Sequence, residues 1–417
     1  MSDHIESGVE HRSGGSLGDI ARDYLVKIRG GDVGSLPAVL GLVVLVIVFS
    51  VLRPGRFTDP FNFGNLINQS AAVVVLAMGL VFVLLLGEID LSAGFTGGTA
   101  AAVVGIVMTR HDMPWGPSLL AGALTGAAIG AIIGSLVARL GIPSFVVSLA
   151  FFLGLQGVLL VMIGEGGTIA YRNDFVLAMN NNPMPVWLGW AITVAGLAAY
   201  ATFTFFSNRR RQAAGLDSQP MLLWLLKTLG LTILVVAAVT YLSIERSPNP
   251  GLKSIKGVPI VAAIILGLVV VLTFLLNRTA WGRHIYAVGG NAEAARRAGI
   301  NVPGIKLSCF VMSSTIAALA GVLIASRDNS VSPVTGGAST LLYAVGAAVI
   351  GGTSLFGGKG RVTDAVIGGL VVAVIANGMG LLRQSTGNIY IITGLVLLVA
   401  ASVDAISRRQ AAASGRV

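Results

Sequence analysis

The sequence predicts an all-α polytopic membrane protein: a helical bundle of about ten to twelve transmembrane segments, some of them short or broken. Three observations predict it. Of 417 residues, 54% are hydrophobic and only 11% charged, against about 25% charged in a soluble domain. Mean hydropathy is +0.84, so the chain lacks the polar surface to coat a water-soluble globule. Apolar runs long enough to cross a hydrocarbon core of about 30 Å recur along it. The net charge of +10 does not read as nucleic-acid binding, because no basic stripe interleaves with aromatics. Loop arginines obeying the positive-inside rule explain it, which makes lipid the surrounding partner.

The first 35 residues are polar, and Asp3, Glu6 and Glu10 stand where a secretory signal would be basic. They read as a cytoplasmic tail. Within it "DIARDYLVKIR" (19–29) places Ile20, Tyr24, Leu25 and Ile28 on one helical side. An interfacial helix and a solvated tail both fit that stretch. A membrane domain follows over 36–404. Its hydrophobic segments are 36–52, 71–87, 93–109, 117–138, 144–163, 186–206, 220–242, 258–276, 307–325, 341–352, 363–382 and 389–404. The tenth is too short for a regular crossing and is expected to be broken. Residues 405–417 read as a second cytoplasmic tail.

An even number of spans puts both termini on one side. Placing them in the cytoplasm brings "RRR" at 209–211, Arg283, Arg296, Arg297 and "RR" at 408–409 to the inner face. The loop 164–185, rich in amides and prolines, then lies outside. In "GALTGAAIGAIIG", Gly122, Gly126, Gly130 and Gly134 form one helical stripe. Small residues let helices in lipid approach closely, so this stripe and Gly368, Gly369 and Gly378 predict tight packing. Cys309 has no partner for a disulfide, and the four histidines lack metal-ligand spacing. No metal site is expected.

The inner loop 277–306 contains a compact helix signal. Asn291 is a good N-cap, Glu293 complements the positive end of the helix dipole, and "AEAARRA" forms helix readily. Gly299 sits where a C′ glycine ends it. So short a helix is marginal alone and needs a surface to dock on. A partner protein at the inner face and the chain's own bundle both satisfy that need.

Two carboxylates, Glu88 and Asp90, interrupt a long apolar stretch in "GEIDLSAG". Asp90 and Ser92 are N-cap residue types, so starting the third helix explains them. A turn below the membrane surface, lining a polar cavity, explains them too. On the second reading the second span, only about 17 residues long, stops short of the surface. Glu88, Asp90, Ser92, Gln156 and Asn377 are then candidates for a translocation pathway, and Ser148, Ser313, Ser314 and Thr315 are further polar residues within spans. Interhelix hydrogen bonding is the default for each polar residue inside a span.

"GRHIYAVGGNAEAARRAGI" closely resembles the cytoplasmic coupling segment of sugar permeases of ATP-binding-cassette (ABC) importers. "GEIDLSAG", "VIGGTSLFGGKG" (349–360) and "ANGMGLL" (376–382) resemble further motifs of that family, in its order, over roughly 60–405. The segment 186–242 looks like an extra helix pair added to a family core of ten spans, as in the xylose type rather than the shorter ribose type. One departure is Asp364, where the family often has a small residue; a place at a helix N-terminus explains it.

The resemblance implies a bacterial inner-membrane permease that imports a monosaccharide, xylose or another pentose first among them. It implies a cytoplasmic ABC ATPase, an extracytoplasmic sugar-binding protein and a second permease copy, making a homodimer. Gly290, Asn291, Glu293, Ala294, Ala295, Arg296, Arg297 and Gly299 would couple to the ATPase. The chain itself is expected to be no enzyme and to hold no cofactor. Its "GGTSLFGGKGR" fails the P-loop pattern, with Thr353 where the first glycine belongs and Gly360 where Ser or Thr would hold magnesium. ATP and magnesium belong on the partner. The rival reading is an ion-coupled secondary sugar transporter using Glu88 or Asp90.

Overall fold

The computed structural model describes residues 34–216, 218–251 and 254–413. The helix expected over 19–29 lies outside the described residues. Among the described residues fifteen helices follow in order: α1 Leu36–Leu52, α2 Pro60–Leu85, α3 Ala93–Arg110, α4 Trp115–Ala138, α5 Ser144–Ile163, α6 Asp174–Asn181, α7 Val186–Ala213, α8 Met221–Leu242, α9 Ile260–Arg278, α10 Ala280–Gly290, α11 Ala292–Arg297, α12 Val302–Asp328, α13 Ala338–Gly351, α14 Val362–Leu381 and α15 Thr386–Ala413. Two short strands, β1 Ile169–Ala170 and β2 Ser330–Val331, pair antiparallel. Among the described residues eight helices are long and apolar enough to cross a membrane. The chain is an all-α, multi-pass membrane protein.

Some boundaries differ from those the hydropathy pattern predicts. The second span starts at Pro60 rather than 71, so it has 26 residues and does not stop short. Pro60 sits at N1, where its missing N–H costs nothing, and Asp59 caps the helix by accepting from Phe61 N at 2.8 Å. Within its polar first turns Asn62 is paired across the bundle with Asn377. The last helix continues past 404 to Ala413. The tenth segment is a 14-residue helix, α13, bounded by non-helical chain on both sides.

Helices α2, α12 and α14 make the core. Helices α7 and α8 make the rim: only 6% of each apolar window is buried. Tyr241 Oη of α8 donates to the Thr58 carbonyl, and its ring meets Phe63 edge-on at 5.8 Å. The glycine stripe of α4 lies against α3 at Gly122 and against α12 at Gly126, Gly130 and Gly134. A Cβ at Gly126 or Gly130 would stand 2.5 Å from the carbonyl oxygen of Ser314 or Phe310, so backbones touch there.

The loop 164–185 is itself structured. Strand β1 pairs with β2, which follows α12. Asn173 caps α6 by accepting from Phe175 and Val176 amides. Ser326 Oγ of α12 donates to the Val176 carbonyl at 2.8 Å, and Asn181 donates to the Ser326 carbonyl at 2.6 Å. This knot closes the end of the bundle that holds Asn329. Lys306, α10 and α11 lie at the other end, as do Gly34, whose carbonyl oxygen lies near Gly352, and the finish of α15.

Candidate functional site

At the Lys306 end, α10 and α11 behave differently. Helix α10 is docked on the bundle. Ile285 and Val288 are buried, and Trp281 stacks on Phe82 at 5.5 Å and donates to Ser308 Oγ at 2.7 Å. Tyr286 Oη donates to the Gly360 carbonyl at 2.8 Å. A Cβ on Gly289 would stand 1.8 Å from the Leu85 carbonyl oxygen, so the chain there can only be glycine.

Helix α11 stands off the surface. Asn291 caps it, accepting from Ala294 N at 2.9 Å. Gly299 ends it at φ +85°, a left-handed conformation that a residue with a Cβ adopts at a cost. Ala295 is its only buried residue; Gly290, Asn291, Ala294, Arg296, Arg297 and Gly299 are exposed. Glu293 accepts from Arg297 at 3.1 Å and from Arg296. Those two hydrogen bonds, Arg296's first, hold its carboxyl below the usual range. Such i,i+3 and i,i+4 pairs support a short helix. The result is a preformed, charged knob on one small-residue anchor.

From α11 a short path leads into the bundle. Ile300 N donates to the Ala295 carbonyl at 3.0 Å, and Asn301 caps α12 through Gly304 N at 3.0 Å. The first turns of α12 carry Lys306, whose ammonium pairs with Glu88. Glu88 belongs to a non-helical arm, 86–92, that joins α2 to α3. Asp90 and Ser92 on this arm are buried. Asp90 Oδ1 accepts from Ser92 N at 2.9 Å and from Ser92 Oγ at 2.5 Å, while its Oδ2 is buried without a partner. Ser92 stands at the N-cap of α3 but its side chain makes no cap bond to it.

The arm climbs into the bundle. Ser148 Oγ of α5 donates to the Ile89 carbonyl at 3.2 Å, and eleven residues higher Leu159 lies against Gly98 of α3. Eleven residues rise about 16 Å, of which Ala93 to Gly98 takes about 7 Å. So α3 starts on the order of 10 Å above Ile89. Helix α12 agrees: fifteen residues, about 22 Å, separate Lys306 at Glu88 from Gly321, whose backbone touches Gly97. The turn is deep because α3 starts late, not because α2 is short.

A second arm, 332–337, enters from the Asn329 end and joins β2 to α13. It descends α3 from Gly105, where Val331 packs, past Gly98, against the Thr335 carbonyl, to Gly94. A Cβ on Gly336 would stand 2.1 Å from the Gly94 carbonyl oxygen. Two helices, α3 and α13, therefore begin at mid-bundle, back to back, and run to opposite ends. The units α2–arm–α3 and α12–arm–α13 are inverted copies in direction.

Residues 62–401 match the family described as the permease component of branched-chain amino acid transport systems. The chain is a permease of that family. The permease is 34% identical over 372 residues to the xylose transport system permease protein of Escherichia coli strain K12, spanning 89% of this chain and 92% of that one. It is 30% identical over 382 residues to the fructose import permease of Rhizobium meliloti, with 91% and 88% covered. The ribose import permease of Bacillus subtilis is 30% identical over 375 residues, with 90% and 94% covered. No solved structure matches the permease.

Beside the start of α13 lies a cavity of about 730 Å³ between α5, α13 and α15. Of the pathway candidates only Gln156 lines it. Glu88, Asp90 and Ser92 lie on the first arm. Asn377 is a core cross-link: it donates to Asn62 at 2.9 Å and accepts from it at 3.0 Å. Ser313 and Ser314 are buried without partners, and Thr315 bonds the Val311 carbonyl of its own helix. Sequence reasoning missed the other cavity residues, Phe95, Phe152, Tyr343, Tyr390 and Thr393. An Oγ or ring within an apolar run carries no signal of the face it takes.

Proposed function

We propose that this permease is the membrane subunit of an ABC importer for a monosaccharide, with pentoses such as xylose the first candidates. The observation that carries the reading is α11, capped at both ends, charged on its outer faces and anchored by Ala295 alone. A knob held so rigidly and buried so little suits reception of another protein. The sugar-permease relatives support the cargo, and the 34%-identical xylose permease supports a pentose.

On this reading both termini and α11 face the cytoplasm of a bacterial cell. Two identical permease copies sit in the inner membrane, with a separate ATPase carrying ATP and magnesium below and a sugar-binding protein outside. Closure of the ATPase presses on Asn291–Gly299. The push travels through Ile300 and Asn301 to the first turns of α12, and through Lys306 and Glu88 to the arm that ends at α3. Residues Glu293, Arg296 and Arg297 make the outward contacts.

The test is coupling in proteoliposomes holding the permease, its ATPase and the loaded binding protein. Glu293→Lys and a glycine inserted after Gly299 are expected to separate ATP hydrolysis from d-xylose uptake while membrane insertion stays normal. Full coupling in both variants overturns the docking role.

A further inference from the structure

We infer that the cavity beside the start of α13 is a sugar-binding station halfway across the membrane, an inference that rests on the function proposed above. A sugar has two apolar C–H faces and a polar rim of hydroxyls, and the cavity offers a match to each. Its volume of about 730 Å³ falls within the about 300–1,000 Å³ of small-molecule pockets. Four aromatic rings form its walls. Phe95 and Phe152 meet edge to face at 4.8 Å, and Tyr343 and Tyr390 lie tilted to each other at 6.1 Å. Rings of this kind present broad apolar faces at low entropic cost, and tyrosine adds a hydroxyl.

The polar partners converge on the same space. Gly337, Ala338 and Ser339 line it, and no side chain caps the amides of α13 there. The Gly337 amide donates to the Val334 carbonyl at 3.0 Å, and the first-turn amides behind it lie at a depth where lipid offers them nothing. Gln156 of α5 brings an amide that both donates and accepts. Thr393 of α15 is the independent sign of a ligand. It is 7% exposed, its Oγ1 is buried with no partner, and it lines the cavity. A buried hydroxyl left unbonded is costly, and turning it toward a sugar hydroxyl in this cavity removes the cost.

The inverted arms explain the location. Phe95 follows directly on the Gly94–Gly336 contact, and its ring lies near Gly337. Movement of either arm therefore changes one wall of the cavity. The station sits where access from either end is decided.

The experiment uses the complete importer in proteoliposomes, with radiolabelled d-xylose and d-ribose as probes. Thr393→Val removes the hydroxyl with little change of shape and breaks no hydrogen bond within the protein. Uptake is expected to fall about tenfold, the value of one lost hydrogen bond, while the melting temperature stays level or rises. Thr393→Ser restores uptake. Gln156→Leu behaves like Thr393→Val, whereas Ile233→Ala, on the lipid-facing rim helix α8, leaves uptake unchanged. If the unaltered importer moves sugar and both cavity variants match it, the station is refuted and the importer reading stands. If Thr393→Val loses uptake and melting temperature together and Thr393→Ser restores neither, the hydroxyl is structural and the station is again refuted. If the unaltered importer moves neither sugar, the reading beneath the station fails first.

Discussion

Glu88 and Lys306 tie the first arm to the helix that follows the docking knob, and they stand 218 residues apart in the chain. Replacing Glu88 by Gln keeps the shape and leaves the Lys306 ammonium without its counter-charge. The side chains are 16% and 25% exposed, Glu88 first. Fully exposed pairs contribute about 0.2–1 kcal/mol, and breaking a buried pair costs about 3–5 kcal/mol. These exposures lie between, so the loss is about 2 kcal/mol, roughly thirtyfold in the balance between arm positions. Denaturant unfolding of the purified permease, run as a double-mutant cycle with Lys306→Met, measures it. Coupling of 1 kcal/mol or more is expected, with ATP-dependent uptake falling in both single variants and recovering in part in the charge-swapped pair Glu88→Lys with Lys306→Glu. Strict additivity, within about 0.3 kcal/mol, and normal uptake in the single variants would refute the mechanical link.

Two further outcomes follow from other parts of the bundle. Gly321→Val places a Cβ where only 1.9 Å separates it from the Gly97 carbonyl oxygen; overpacking of about 3 kcal/mol or more is expected, seen as a drop in folded yield and melting temperature, and a melting temperature equal to that of the parent would show that the two backbones are not in contact. Glu245, in the 243–257 loop, accepts from Ser254 Oγ, Ile255 N and Ser247 N, bonds that lower its carboxyl to about 2. A depressed carboxyl contributes order that is complete above its unfolded value, about 4.5, and is lost as pH falls toward 2; the protection of the Ser247 and Ile255 amides relative to their intrinsic exchange rates should fall across that window and lose this dependence in Glu245→Gln.

Much of the architecture was legible in the hydropathy pattern, because lipid forces long apolar helices wherever the chain crosses. The short helix beginning after Asn291 was legible too, since its cap, its acidic first turn and its C′ glycine are local signals. The arms were not. Ser92–Gly98 reads as one apolar run, and nothing in it says that α3 starts halfway across. The depth is set by Gly97 and Gly94 meeting Gly321 and Gly336, contacts made over more than two hundred residues. Helix α10 was missed because its apolar residues face the bundle while its ends look like loop. The start of α2 was missed because "PFNFGNLINQS" is too polar for a span unless Asn62 has Asn377 to bond. The place of Gln156 in a cavity was an open alternative to interhelix bonding, and Thr393 carried no signal at all.

The Gly94–Gly336 contact also has a bearing on insulation. Each arm carries peptide groups with no helical partner inward from its own end, so a hydrated solute meets polar backbone well before the midpoint from either side. Backbone meets backbone there across hydrogen side chains alone, at Gly94–Gly336 and again at Gly97–Gly321, so no longer side chain stands ready to fill a gap. Anything that wedges those two backbones apart would short-circuit the cell's ion gradients before it improved the passage of cargo.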